Sequence, residues 1–500
     1  MKPLQRLAGL TLAASLLSGS AAAALTADEV WNQMQARATA FGMPLNVGSQ
    51  TKTGGTLALK QVTADYADPK GNAKVSIALP EIDLAEAGDG SVTLTVPQPA
   101  KLDFSATDPK KGGGSAEGSV TIAPTNVKSV ISGSPEDMRY ASTGDSVVMT
   151  LDALKVDGKE VKATAQLAMT GFASTSHVTG SDPQQIDSQG TVQGMQLLLD
   201  ASDPEQTGTL HLEATAQGMT NASKLTLPKA MDAKNMAASL AAGYAVSGQF
   251  GYGPISFTAD ATNPKGPAKI SGSVGSGSVS VEMSKDRVQY GGQSKDVKFA
   301  VASPQLPVPQ LVLTEAESAF SLTAPVAKAD TPQNFALLLK ILGLGVNEEV
   351  WTLLDPQNVL PHDPATLIVD LAGTGNLGFD LFDPTLAEHP PTDPGQIDTL
   401  KVNQLQLTAG GADLTGTGAL SFENTPGAAP KPVGDLNLKL TGGNGLLDKL
   451  IQMGLLPQDQ AMGFRMMLGM FSKPAGDDVL TSQIEFKPDG AILANGQRIK

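Results

Sequence analysis

Cysteine is absent from the 500 residues, and its absence excludes several designs. Without thiols the chain can form no disulfide, no thiolate metal site and no lipid-modified cysteine anchor. Stability must therefore come from core burial and sheet pairing, which a chain of this length can supply. At this length, two or three core units are expected.

Clustered positive charge and aromatic side chains are also scarce. The formal net charge is −15, and Lys and Arg are scattered along the chain. Nucleic-acid binding needs clustered Lys and Arg to neutralise phosphates, so no nucleic-acid partner is expected, and an anionic membrane surface is disfavoured for the same reason. Aromatic residues make up 4% of the chain, which argues against a stacked-ring face for sugars or single strands.

The hydrophobic run with export character lies at the N-terminus. Two basic residues precede the apolar run Leu7–Leu17, and Ala22–Ala24 offers a small-residue cleavage site. Residues 1–24 therefore have the pattern of a signal peptide, which predicts a periplasmic location. Cleavage after Ala24 is expected, and retention as a tether is the alternative. The longest later apolar stretch, Phe335–Gly345, contains a lysine and is too short for a bilayer, so no transmembrane span is expected after signal removal.

What the chain has in abundance is alternation of apolar and polar residues, interrupted by turn residues. Gly and Pro together account for about one residue in six, which suits many short strands and turns. Alternation marks strands with one buried and one wet face and favours antiparallel pairing. The predicted class is β-rich (α+β): extended, curved antiparallel sheets with short capping helices and helical hairpins. The clearest strand triplets are Val75-Ile77-Leu79, Val92-Leu94-Val96, Leu210-Leu212-Ala214 and Leu436-Leu438-Leu440.

Helices are predicted where capping signals or a 3.6-residue period occur. Thr26 and Glu29 form a capping box before the first helix, which Gly42 ends. The further predicted helices are Pro228–Ala242, Pro332–Leu344, Asn347–Leu354, Gly445–Met453 and Gln458–Met470. A closing hairpin is predicted from Ser482–Phe486, a turn at Lys487–Gly490, and residues 491–493.

These elements group into strand-rich blocks that each end in a helix. The blocks resemble one another only weakly, and no countable repeat is predicted. Two regions follow the signal: an N-terminal strand-rich region with capping helices at 25–243, and a C-terminal strand-rich region with two helical hairpins at 244–500.

Three patterns could carry chemistry, and each has a structural alternative. Gly373, Gly375 and Gly378 match a dinucleotide-binding spacing, but the next residues resemble a strand rather than a helix, which favours a hairpin. None of the four histidines, His177, His211, His362 and His389, has a second ligand at metal spacing. Asp370, Asp380 and Asp383 lack the spacing of calcium loops and are interpreted as solvated strand ends. No catalytic, cofactor-binding or metal residues are therefore assigned, no cofactor is expected, and the protein is not expected to be an enzyme.

The last helical pair is unusually rich in methionine. Methionine is flexible and polarizable, so it lines sites for variable apolar ligands and also fills cores. Core packing and contact with a lipid or another apolar partner both remain open. The candidate residues are Met453, Met462, Phe464, Met466, Met467 and Met470.

The order of several short motifs resembles an uncharacterised alphaproteobacterial exported family, the domain of unknown function 2125. The N-terminal residues Leu25–Trp31 after the signal are similar as well. The motifs in the C-terminal third are Gly418–Phe422, Pro432–Leu438, Gly445–Gly454, Met466–Met470, Phe486–Gly490 and Asn495-Gly496.

That family is distantly similar to AsmA-like envelope proteins. The resemblance implies long, curved, strand-rich sheets with an apolar groove, acting in outer-membrane homeostasis or lipid movement. It implies no catalytic residues. At the fold level, such a likeness does not fix function.

Two functional hypotheses follow. The first is a non-enzymatic periplasmic envelope protein that shelters or moves a lipid or other apolar ligand in a sheet groove. The second is a structural or protein-interaction module of the envelope with no small-molecule ligand. Alternation cannot distinguish them, because it does not show whether the apolar faces are open or closed on each other.

Overall fold

The computed structural model describes residues 24–40, 42–68, 71–108, 114–202, 208–232, 235–425 and 429–500. The predicted signal peptide at 1–24 lies almost entirely outside the described residues. In the described chain most regular structure is strand, joined in one antiparallel sheet, which confirms the predicted β-rich class.

Five short α-helices interrupt the strands. They are α1 (Ala27–Ala40), α2 (Met236–Ala241), α3 (Glu348–Leu354), α4 (Gly443–Gln452) and α5 (Gln458–Phe471). A 3₁₀ turn spans Pro384–Ala387.

The strands alternate with tight turns along the chain. They are β1 (Leu45–Thr53), β2 (Thr56–Ala67), β3 (Ala73–Glu86), β4 (Val92–Thr95), β5 (Ala100–Asp108), β6 (Gly114–Thr125), β7 (Lys128–Ser134), β8 (Asp137–Val156), β9 (Lys159–Glu160), β10 (Lys162–Thr179), β11 (Gln184–Ser202), β12 (Thr209–Leu227), β13 (Ala245–Tyr252), β14 (Ile255–Asn263), β15 (Gly266–Val274), β16 (Ser276–Met283), β17 (Arg287–Ala302), β18 (Leu311–Pro325), β19 (Gln333–Val346), β20 (Ala365–Asn376), β21 (Gln396–Ala409), β22 (Ala412–Glu423), β23 (Lys431–Thr441), β24 (Lys473–Gly476), β25 (Val479–Phe486), β26 (Ile492–Ala494) and β27 (Gln497–Arg498).

Most strands pair with the strands next to them in the chain, and one connection pattern occurs twice. β3 pairs with β5 along its first half and with β4 along its second half; β6 and β7 continue these two tracks, and both pair with β8. β12 pairs in the same way with β14 and β13, which continue through β15 and β16 to β17. The sequence analysis predicted no countable repeat; the structure contains a repeat of topology.

The sheet is continuous across the predicted boundary at 243/244, since β12 pairs with both β13 and β14.

A line of irregular pairs, here called the crease, crosses the sheet near mid-strand. At most of these positions the ladder skips one or two pairs and then resumes in register, whereas Gly253 and Gly275 lie between consecutive strands. Several of the residues have positive φ, such as Gln61 at 55° and Gly171 at 59°. Such bulge-like interruptions bend strands and increase their twist. The crease consists of Gly48, Gln61, Pro80, Asp145, Gly171, Gln193, Gly218, Gly253, Gly275, Asp296, Ala316 and Gly343.

The interruption of the alternation at the crease keeps apolar side chains on one face. On β2, Leu57, Leu59 and Val62 lie in a single hydrophobic cluster although Gln61 breaks their alternation. We call this surface of the sheet the apolar face. At its first end the N-terminal helix α1 packs on it, and Val30 and Trp31 are buried there. The resulting core is the larger of the two buried hydrophobic clusters in the described residues.

The predicted first helix is confirmed together with its capping box. The Thr26 hydroxyl accepts a hydrogen bond from the Glu29 amide at 3.2 Å, and the Glu29 carboxylate accepts one from the Thr26 amide at 2.9 Å. Gly42 follows the helix with φ 75°. The helices predicted at Asn347–Leu354, Gly445–Met453 and Gln458–Met470 are found within two residues, as α3, α4 and α5, and the closing hairpin is β25 and β26.

Two predicted helices are wrong. The segment Pro332–Leu344 is strand β19, hydrogen-bonded to β18 on one side and β20 on the other. Its run of leucines satisfies a helical and a strand period equally, and pairing on both sides decides between them. The other prediction, Pro228–Ala242, is wrong in its bounds: among the described residues of this segment only Met236–Ala241 is helical, and Asn235 begins that helix by accepting a hydrogen bond from the Ala238 amide.

Candidate functional site

The apolar face is uncovered over β13 and β16 to β19. Cross-strand register aligns Phe250 with Val279, and Phe320 with Leu339, in one row. A second row runs through neighbouring positions of the same strands. We call the large exposed members of these rows the open patch; they are Phe250, Val279, Tyr290, Phe320, Leu322, Leu337 and Leu339.

Side chains of the open patch are 40–51% exposed. Side chains covered by a second layer of structure would be far less exposed. The opposite face of β18 carries Glu317, Ser321 and Thr323, so the strand is amphipathic. A contiguous exposed apolar surface of this kind marks an interaction site.

Aromatic rings lie flat on glycines of the neighbouring strands across the apolar face. A Cβ added to Gly292 would lie 2.5 Å from Cε1 of Phe320, so only glycine leaves room for the ring. In this packing the rings cover the backbone of the glycines, so the rings occupy the space that larger side chains would fill. The ring and glycine pairs are Phe104/Gly118, Phe172/Gly144, Phe257/Gly272, Tyr252/Gly277, Phe320/Gly292 and Phe335/Gly373.

A cavity of about 420 Å³ lies on this face where the open patch meets the crease. Val279, Phe320 and Leu339 line its apolar side. Its polar side includes the hydroxyls of Ser294 and Ser318, 2.8 Å apart, and Glu315. Lys340 also lines the cavity, and its ammonium donates to Glu317 at 2.8 Å. Oε1 of Glu315 is buried and makes no hydrogen bond to any described residue.

The candidate residues of the last helical pair lie on or beside α4 and α5. Met462, Phe464, Met466, Met467 and Met470 of α5 are 47–68% exposed. Met453 is half-buried at the end of α4. Only Ala461 of α5 is fully buried, so α5 presents a second exposed apolar surface, separate from the open patch.

The histidines occupy polar pairs rather than one centre. His177 and His211 each face an aspartate on a neighbouring strand, Asp137 at 2.6 Å and Asp200 at 2.7 Å. The hydrogen bond to Asp200 raises the pKa of His211.

His362 lies in a loop that the carboxylate of Asp355 anchors. The Leu360 amide donates to Asp355 at 2.6 Å, and the His362 ring stacks on Trp351 with a centroid distance of 4.4 Å. Burial opposes ionisation of Asp355, but the amides of Val359 and Leu360 and the nearby His362 lower its pKa. The arrangement fixes the loop after α3.

The glycine and aspartate patterns also have structural roles. Gly373 lies inside β20 beneath the ring of Phe335, and the turn that the sequence predicted there is not formed at this glycine. Asp383 caps the 3₁₀ turn through the Thr385 amide at 2.8 Å, and this hydrogen bond lowers its pKa. Among the described residues, His, Asp and Glu nowhere gather in a group of three able to hold a metal ion, and no described helix is long and apolar enough to cross a bilayer.

Sequence reasoning missed the open patch and Glu315. The patch residues of β19 belong to the stretch predicted as a helix. The signal for Glu315 is an acid at a position where β18 alternation requires an apolar residue, after Leu311 and Leu313.

Comparison with known proteins gives one family and nothing more specific. No curated protein and no solved structure matches the chain. Residues 252–495 match the family described as "Uncharacterized protein conserved in bacteria (DUF2125)". The match begins at the end of β13 and includes the open patch on β16 to β19 and both helices of the α4–α5 pair. Over residues 252–495, just under half of its length, the chain is therefore similar to the DUF2125 family, as its motifs suggested.

Proposed function

We propose that this protein is a non-enzymatic component of the bacterial envelope, located in the periplasm, that shelters the acyl chains of a lipid on the apolar face of its sheet. The observation that supports the proposal is the open patch, an apolar surface that no other part of the described chain covers. The export signal predicted at residues 1–24 and the sequence resemblance to AsmA-like envelope proteins favour the same role.

The energetics favour a ligand with more than one chain. Full burial of a methylene contributes roughly 0.8 kcal/mol, and a chain lying on an open face buries about half of its surface. A twelve-carbon chain then contributes on the order of 5 kcal/mol, which alone corresponds to a dissociation constant near millimolar. Two chains side by side reach the micromolar range, so a diacyl lipid fits the surface better than a single fatty acid.

The test is the lipid content of protein purified from the periplasm. We expect native mass spectrometry and organic extraction to find co-purified lipid with the wild type. Leu322→Glu places a charge in the open patch and is expected to reduce the bound lipid at least tenfold. Ser321→Glu adds the same charge on the opposite face of β18 and serves as the matched control.

Reproducible absence of lipid from the wild type would refute the proposal. Equal losses in the two variants would show that added charge, rather than the apolar face, controls the lipid content. Fractionation of cells expressing the full chain tests the location, since recovery outside the periplasm contradicts it.

A further inference from the structure

The carboxylate of Glu315 lies on the apolar face, and folding alone does not explain why an acid is buried there. Strand β18 carries two glutamates, Glu315 and Glu317. They lie on opposite faces because the crease residue Ala316, between them, shifts the alternation. Their surroundings differ. Glu317 accepts a hydrogen bond from Lys340 at 2.8 Å, and this contact lowers its pKa. Oε1 of Glu315, by contrast, is buried without any partner among the described residues.

A buried carboxylate oxygen without a partner carries an uncompensated desolvation cost. Replacement of Glu315 by a leucine would remove that cost and continue the apolar pattern of Leu311 and Leu313 on the same face. The acid is therefore poorly explained as a stabilising residue. It fits a site that is completed by a hydrogen-bond donor from outside the chain.

The position of Glu315 specifies what kind of donor that is. The acid lies on the wall of the 420 Å³ cavity, beside the Ser294 and Ser318 hydroxyls, and the other wall is formed by Phe320 and Leu339 of the open patch. A group held there would extend its apolar part directly over the patch. The donor and the chains thus belong to one amphiphilic molecule.

We infer that Glu315 binds the primary ammonium group of an amine-bearing lipid whose acyl chains lie on the open patch. This inference rests on the proposed function and names its ligand class. An ammonium supplies both the N–H donor and the positive charge that a lone carboxylate lacks. The two serine hydroxyls then accept or donate to neighbouring polar atoms of the headgroup.

The experiment compares two lipids that differ only at the nitrogen. The protein is incubated with vesicles of dioleoyl phosphatidylethanolamine mixed equally with dioleoyl phosphatidylcholine, and bound lipid is counted by native mass spectrometry. The first lipid has N–H donors and the second has a quaternary ammonium without them. We expect the wild type to bind the ethanolamine lipid at least about tenfold more, as a charged hydrogen bond in a weakly polar site allows.

The variants locate the preference. Glu315→Gln keeps the shape of the side chain and removes its charge, and we expect the ratio to fall towards one while total bound lipid is retained. Glu423→Gln removes an equal charge from β22, outside the cavity, and we expect it to leave the ratio unchanged. Circular dichroism of each variant checks that the sheet is intact.

The possible failures are distinguishable. If the wild type binds neither lipid, the proposed function fails. If it binds both lipids equally, or if Glu315→Gln keeps the preference, lipid binding stands and the role of Glu315 is overturned. A loss of preference in Glu423→Gln as large as in Glu315→Gln would also overturn it, because the effect would then reflect overall negative charge.

Discussion

Two regions of the same sheet face have the same kind of residue and opposite exposure. Under α1, Leu57, Leu59 and Leu84 are 0–1% exposed, whereas Leu337 and Leu339 of the open patch are 40–41% exposed. Both sets come from alternating strands of one continuous antiparallel sheet. The difference lies in what covers them: α1 supplies Val30 and Trp31 to the first region, and no described element does so for the second. The pattern of a strand thus determines which face is apolar, and the helices determine where that face is sealed.

The largest expected effect contrasts one leucine from each region. Leu84→Ala leaves a cavity beneath α1, and we expect it to cost about 2–5 kcal/mol. Leu337→Ala removes a side chain that is already exposed, and we expect a loss below about 1 kcal/mol. Hydrogen exchange of β3 and β19 amides measures the two local stabilities. Similar losses at both sites would mean that the open patch is covered in solution.

A smaller effect tests the ring packing that takes the place of a covering helix. Gly292→Val would force the Phe320 ring out of its position, at an expected cost of about 1–3 kcal/mol in the stability of β17. Gly291→Val is the matched control, because its Cβ would meet the rotatable hydroxyl of Ser280 at 2.9 Å and, at ordinary contact distance, the Phe320 carbonyl oxygen at 3.7 Å. Urea titration followed by exchange at β17 measures both. Equal destabilisation by the two variants would contradict a specific role for the ring.

The smallest effect concerns the pH dependence of α1 docking. The Ala27 amide donates to Glu86 at 2.9 Å, and this bond, with the Lys52 ammonium at 3.0 Å, lowers the pKa of Glu86. Because the folded-state pKa is depressed, the stabilisation is complete above the unfolded value of 4.5 and is lost as pH falls through the folded value. We expect protection of α1 amides to decline between about pH 5 and about pH 3.

Glu86→Gln is expected to flatten that decline in the α1 amides. Glu117→Gln, a carboxylate paired with Lys155 far along the chain from α1, is the control. An unchanged acid dependence in Glu86→Gln would assign the decline to other carboxylates.

Sequence predicted the fold class because alternation and turn residues are local signals. The triplets at Val75, Leu210 and Leu436 all lie in strands, and the Thr26 capping box begins α1. The β19 segment shows where such reasoning stops, since Leu337, Leu338 and Leu339 are apolar on both faces and only long-range pairing identifies the strand. The candidate site was missed for the same reason.

The Met-rich pair illustrates a different limit. Composition identified Met462 and Met466 as unusual, but their exposure depends on what packs around α5, which the sequence of the helix does not show. Glu315 is the opposite case: its place in the alternation is readable from the sequence, but the lack of a hydrogen-bond partner at its Oε1 depends on how the neighbouring strands are placed.

The repeated connection of β3 to β8 and of β12 to β17 has a consequence for the reach of the molecule. Each unit ends in one long strand that pairs with both tracks, β8 in the first unit and β17 in the second. A further unit could therefore follow without changing the pairing at either end of the sheet. Adjacent strands are about 4.8 Å apart, and about eighteen steps along the ladder separate β1 from β25, which amounts to roughly 85 Å. The distance spanned by the apolar face therefore depends on how many such units the sheet contains.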